Sequence, residues 1–154
     1  FEGGTRPMSL VRYPNHVSAG KTNNDLIFSH LDIAPTVLEW CGIPYENDAF
    51  DGVTQVDALS GKRTKSNSDR ILHWDLGFQW SVRSGNWKLM VTEDEAKAAN
   101  LAKKEALYVA QGVHLYNLVE DPGETKNVAA HYPEIVQQLR RLHDGWRTEV
   151  DSTN

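Results

Sequence analysis

Apolar positions follow a helical rhythm through the first half of this chain and a mostly alternating one through the second. Leu10, Val11 and Tyr13 form a compact run between Pro7 and Pro14, which predicts a short buried strand over 10–13. Asn15 to Lys21 is a turn-rich exit. Ser29 and Asp32 then have capping-box spacing, with Asp in the usual place of Glu, and Pro35 lies in the first turn, where its missing N–H does no harm. Ile33, Val37, Leu38 and Cys41 recur at helical spacing, and Gly42 is placed to end the helix in the left-handed conformation. From Pro44 to Asn67 the pattern is irregular, with a turn at Asp51-Gly52 and a helical turn around Val56 to Leu59.

The rhythm changes at Arg70. Ile71-Leu72-His73-Trp74 is a short apolar run, and the alternating stretches on either side of Ser84-Gly85-Asn86 predict a hairpin. Thr92 to Ala106 is charged and alanine-rich and reads as a short helix or an excursion. His114 to Leu118 is a further strand, closed by the turn Asp121-Pro122-Gly123-Glu124. Pro133 and Glu134 open a helix whose stripe is Ile135, Val136, Leu139, Leu142, His143 and Trp146. Strand and helix first, then antiparallel strands under a covering helix, is the order of an α+β unit with a piece of a larger α/β sheet attached, divided at 1–68 and 69–154.

Composition narrows this picture. A complete domain of 154 residues buries roughly 70% of its extended surface. A net charge of −5, with no block of like charge, argues against a nucleic-acid partner, which needs a clustered basic face. No apolar run approaches the roughly 20 residues that span a bilayer. The single cysteine, Cys41, allows no internal disulfide. Its place beside Leu38 on the apolar stripe predicts a buried packing thiol.

Tests for chemistry are mostly negative. The six histidines make no H-x-x-x-H or H-E-x-x-H pair, and no CxxC occurs, so a zinc site has little support. Asn47 to Gly52 departs from a calcium loop, because Phe50 breaks the ligand alternation and Ala58 stands where the closing Glu belongs. Gly20-Lys21-Thr22 lacks the first glycine of a phosphate loop, and neither G-x-S-x-G nor G-x-G-x-x-G is present. One cluster stands out: His73, Trp74 and Asp75, where an apolar strand ends in polar and aromatic groups, as strands do at the edge of a pocket.

An ordered series of short motifs carries a resemblance. It runs Glu2-Gly3-Gly4-Thr5-Arg6-Pro7, Ser29 to Leu38, Gly42-Ile43, Phe50-Asp51-Gly52-Val53, Val82 to Leu89, Leu115 to Leu118 and Asp121 to Asn127. In this order they resemble the C-terminal third of a sulfatase. The resemblance implies an α/β alkaline-phosphatase-like fold whose smaller C-terminal subdomain has antiparallel strands and one helix. It implies hydrolysis of sulfate esters by a formylglycine with a bound Ca²⁺, acting on a sulfated small molecule or sulfated carbohydrate in the periplasm or outside the cell.

The family makes formylglycine in a C/S-x-P-x-R motif, and no Ser or Cys here lies two residues before a proline. Nor is there an Asp-Asp or Asp-Asn dipeptide to ligate Ca²⁺. The resemblance therefore implies that nucleophile, metal ligands and sulfate-binding Lys lie upstream of these residues, and that the 154 residues alone hold no catalytic group, metal or cofactor. Glu2, Gly3, Gly4 and Arg6 become the rim of the sulfate pocket, with the glycines letting backbone pass close to it. His73, Trp74 and Asp75 become contacts to the leaving-group part of the substrate. The isolated segment is expected to expose apolar surface and self-associate. Two other readings stay open: a stand-alone carbohydrate-binding or interaction module, and a part of a phosphonate or phosphodiester hydrolase of the same superfamily.

Overall fold

The alternating half of the chain makes one antiparallel sheet. In the computed structural model, which describes residues 2–24, 26–46, 48–62, 70–105 and 111–153, the strands are β1 (Ile71–Asp75), β2 (Gln79–Ser84), β3 (Trp87–Thr92) and β4 (Val113–Asn117), hydrogen-bonded in the order β1-β2-β3-β4. The β2–β3 connection is the two-residue turn Gly85-Asn86. Gly85 has φ +58°, and glycine at this first turn position matches the twist of the flanking strands.

Register decides what the sheet can bury. His73, Val82, Leu89 and Leu115 stand in one row across the strands, and Asp75, Trp80, Val91 and Val113 in the next row on the same face. Helix α5 (Pro133–Thr153) covers this face, with Ile135, Val136, Leu139 and Leu142 packed on the cluster of Trp80, Val82, Leu89, Val91 and Leu115. Each buried aliphatic or aromatic side chain contributes about 1.5–3 kcal/mol relative to leaving it exposed. Helix α4 (Glu95–Glu105) lies between β3 and β4 in the chain, and its Ala98 is fully buried.

The segment after β4 closes that edge of the sheet. The Asn127 Oδ1 accepts from the Leu115 and Ala129 N–H groups at 3.0 Å each, its Nδ2 donates to the Val113 carbonyl, and the Val128 N–H donates to Leu115 O at 2.9 Å. An edge so occupied no longer offers a template for another strand. Asp121 shapes the preceding turn by accepting from Lys126 N at 2.8 Å and Thr125 N at 3.1 Å, and these donors hold its carboxyl below the ordinary value.

The first half of the chain is built around Asp32. Ser29 caps a 3-10 turn (His30–Asp32) that runs into α2 (Ile33–Trp40), and both capping-box bonds form. Asp32 is fully buried: one carboxylate oxygen accepts from Ser29 N at 2.8 Å, the other from Val53 N at 2.9 Å. Thr36 Oγ1 accepts from Gln55 N at 3.0 Å, just ahead of α3 (Val56–Leu59). A Cβ on Gly52 would collide with the Leu31 carbonyl, so only glycine allows this approach. Gly42 has φ +66° after the Cys41 cap, the left-handed stop the spacing predicts.

Two expectations fail here. Residues 10–13 form no strand: Leu10 is 88% exposed, and no described strand pairs with this stretch. Alternation specifies a strand only where a partner satisfies the backbone. Cys41 is exposed, not buried, because the stripe it shares with Ile33 and Val37 faces outward while Pro35 and Thr36 turn inward.

The described chain divides into two compact units, Met8–Ser68 and Asp69–Asn154, the latter grouped with Phe1–Pro7. Glu2–Thr5 forms a single helical turn, α1.

Candidate functional site

Strand alternation separates the three residues singled out at the end of β1. His73 and Asp75 lie on the face covered by α5; Trp74 lies on the other. All three are half-buried.

On the α5 face, five further residues join His73 and Asp75. The His143 ring is fully buried and stacks on Trp80 with centroids 4.0 Å apart and planes 8° from parallel. Its Nδ1 lies 3.3 Å from the His73 Nδ1, and its Nε2 lies 3.8 Å from the Asp75 Oδ2, too far for a hydrogen bond. His73 stacks in turn on Trp146 at 4.8 Å and 4°. Arg147 places one guanidinium nitrogen 3.0 Å from Asp75 Oδ2 and another 3.4 Å from Glu93 Oε2. Glu93 also accepts from Trp80 Nε1 at 2.7 Å, and Asp75 Oδ1 accepts from Gly77 N. The cluster thus joins β1, β2, the end of β3 and the C-terminal half of α5.

Its electrostatics follow from burial. Desolvation and the neighbouring His143 push the His73 pKa down to about 4. Desolvation also pushes His143 below the ordinary histidine value, Asp75 pulls it back up and Arg147 pushes it down again. Both rings are therefore neutral at pH 7. Arg147, facing Asp75 and Glu93, is held above its ordinary value.

Trp74 belongs to a second cluster. Lys88 and Glu124 form an ion pair at 2.9 Å with both side chains out of solvent, and the Lys88 ammonium lies 5.8 Å from the Trp74 ring centroid. Glu124 reaches inward from a backbone at φ +54°, a conformation uncommon for any residue but glycine. Trp74 therefore covers a buried cation instead of sharing a surface with His73.

Near the N-terminus, Arg6 is exposed, and a Cβ built on Gly4 meets nothing within 4 Å. Among the described residues, then, no close approach demands glycine at position 4. Gly3 and Glu2 lie in the same helical turn.

His143, Trp146, Arg147 and the Lys88–Glu124 pair were not read from the sequence as site residues. The available signal was a histidine inside the apolar stripe of the last helix, which requires a polar partner on whatever that stripe covers. Among the described residues no group of three or more His, Cys, Asp or Glu could hold a metal ion. Cys41 is followed by Gly42, Ile43 and Pro44 at the exposed end of α2, not by the motif that formylglycine formation requires. These residues do not fit Ca²⁺ or formylglycine.

Comparison with known proteins gives a consistent answer. Residues 1–148 match the family described as N-sulphoglucosamine sulphohydrolase, C-terminal. The chain is 31% identical over 149 residues to an N-acetylgalactosamine-6-O-sulfatase of Bacteroides thetaiotaomicron, covering 96% of this chain and 28% of that protein. It is 29% identical over 157 residues to human arylsulfatase A, covering 92% of this chain and 30% of that one. A solved structure in complex with its substrate D-glucosamine-2-N,6-O-disulfate superposes with a TM-score of 0.62 at 19% identity, over 93% of this chain and 28% of the other. Another, in complex with a neocarrahexaose, gives 0.64 at 22% identity, over 87% and 27%. The chain thus spans less than a third of the length of these relatives. With residues 1–148 matching its model, the chain belongs to the N-sulphoglucosamine sulphohydrolase C-terminal family of the sulfatases.

Proposed function

We propose that these 154 residues act as the C-terminal part of a sulfatase that hydrolyses sulfate esters, with formylglycine and Ca²⁺ held by other parts of the polypeptide. The family match over residues 1–148 carries this reading. The packing supports it: the shared motifs act as structural braces, Asp32 and Gly52 in one unit and Lys88, Glu124 and Asn127 in the other. A segment whose motifs hold shape rather than chemistry suits a structural and cleft-forming part.

A sulfated carbohydrate is the proposed substrate class, since the relatives include an N-acetylgalactosamine-6-O-sulfatase and a structure bound to a disulfated glucosamine. We place the parent in the periplasm or outside the cell; no described helix is long and apolar enough to cross a membrane. Within this reading His73 and Asp75 keep a place at the cleft through the half-exposed end of β1, while Trp74 supports it from the other sheet face over Lys88. Glu2, Gly3, Gly4 and Arg6 retain the proposed position at the sulfate-pocket rim.

Helix α2 adds a physical argument. Ile33, Val37 and Cys41 face solvent on one side while Pro35 and Thr36 are buried on the other, and a helix apolar on two sides is built to be covered on both. Met8, Leu10, Ile43 and Val53 extend the exposed apolar surface, so the isolated chain is expected to self-associate.

The test compares the 154 residues with a polypeptide extended to the length of the relatives, each co-expressed with a formylglycine-generating enzyme. Sulfate-ester hydrolysis is expected only from the extended protein. Hydrolysis by the 154 residues alone above the buffer rate would overturn the assignment of roles.

A further inference from the structure

The contact between His73 and His143 has an unusual requirement: two imidazole nitrogens, each able to donate or accept, meet at 3.3 Å. A hydrogen bond there needs one proton between two Nδ1 atoms. The Asp75 carboxylate, 3.8 Å from His143 Nε2 and so acting by charge alone, favours the tautomer with hydrogen on Nε2. His143 Nδ1 is then the acceptor, and His73 Nδ1–H the donor. We propose that His73 and His143 form a proton-sensitive latch between β1 and the C-terminal half of α5, closed with one proton at the Nδ1 contact and opened when acid charges both rings and forces a second proton into it.

The first added proton can go to His73 Nε2 and leaves one N–H at the contact; charging both rings sets two N–H groups head to head with no acceptor between them and two positive charges side by side. Trp80 covers the fully buried His143, and Trp146 covers one face of the half-buried His73, so water reaches His73 from its open side but not His143. The groups facing the pair do not offset this. From β1, Asp75 is already engaged by Arg147 at 3.0 Å; from the end of β3, Glu93 is held by Trp80 Nε1 and Arg147. From α5, Asp144 favours the charged form of His143, Arg147 opposes it, and the Arg140 guanidinium lies 5.7 Å from the Trp80 ring that His143 stacks on. Burial dominates for both rings, and both pKa values lie below the ordinary 6.5.

The direction of the pH effect follows. A group whose pKa is depressed in the closed form binds fewer protons there than in the open form between those two pKa values. The latch is at full strength above about pH 6.5 and weakens as pH falls towards about 4, the His73 value. Nearer the helix start, Ile135, Val136, Leu139 and Leu142 carry no titratable group, so that half of α5 stays on the sheet.

Amide hydrogen exchange of the full-length protein, corrected for the pH dependence of intrinsic exchange, tests the latch. Between pH 6.5 and 4, protection over residues 143–151 is expected to fall by at least about tenfold, since His73 is lowered from 6.5 to about 4, while β2 and β3 hold theirs. In His73→Gln, which keeps an amide donor but cannot titrate, the fall is expected to shrink to less than about threefold. If that variant does not fold, imidazole NMR titration of the unaltered protein decides: both rings must titrate below 6.5. Protection over 143–151 that is indifferent to pH, a His73→Gln profile like the parent's, or either ring titrating at or above 6.5 overturns the proposal.

Discussion

Among the described residues of Asp69–Asn154, the fully buried side chains are mostly large and apolar, with Val82, Leu89, Leu115 and Leu139 under α5. In Met8–Ser68 they are Asp32, Pro35, Thr36 and Gln55, while Ile33, Val37, Ile43 and Val53 are each about half exposed. One unit has an apolar centre of its own, with the Lys88–Glu124 ion pair inside it. The other is held by side chains that hydrogen-bond backbone, and it leaves its apolar residues outside. Hydrophobic burial scales with area removed from water, whereas a hydrogen bond nets only about 0.5–1.5 kcal/mol. The Met8–Ser68 unit is therefore the less stable of the two, and the comparison can be broken in three places.

The largest effect is expected at the buried ion pair. Glu124→Ala removes the carboxylate 2.9 Å from the buried Lys88 ammonium, at a cost of about 3–5 kcal/mol in denaturant unfolding of the 69–154 unit. The double substitution Lys88→Met with Glu124→Leu is expected to recover most of that loss. If the single and double substitutions cost the same, the pair is not what holds the loop after β4.

Gly52→Ala is expected to act more locally. The new methyl meets the Leu31 carbonyl, so Val53 N must part from Asp32, with a loss of about 1–3 kcal/mol. Exchange protection should fall for the Val53 and Gln55 amides and stay unchanged across β2 and β3. Equal loss in both units would show that they unfold as one.

The smallest effect on stability, within about 0.5 kcal/mol, is expected from Val37→Ser, because Val37 is 48% exposed. Its consequence lies in association: the isolated chain should sediment closer to a monomer. Cys41 on the same stripe should react rapidly with a thiol reagent in the isolated chain and slowly in the extended protein. Equal rates would remove the case for a covered α2.

Elements with local signals were legible. The Ser29–Asp32 capping box, the Gly42 stop, the Gly85-Asn86 turn and the stripe of α5 are each specified within a few residues, and each forms where predicted. The 10–13 strand and the buried Cys41 were misread for a common reason. Apolar pattern states that a face is meant to be covered, not by what, and the described residues cover neither. At the candidate site, His73 and Asp75 were visible as a polar end to an apolar strand. Their partners were not, because His143 and Arg147 come from a helix some 70 residues away in the chain.

The sequence by itself determined the family, through motifs in order, and the run of helices and strands, through capping, turn residues and periodicity. Tertiary structure decided the roles. It showed that Asp32, Gly52, Lys88, Glu124 and Asn127 are braces, since only the folded chain shows which backbone or counter-charge each meets. It also split His73 from Trp74 across the sheet and set His73 against His143. Propensity and spacing act over a few residues. Register and helix docking set which distant side chains share a dry space, and that sharing fixes their charge.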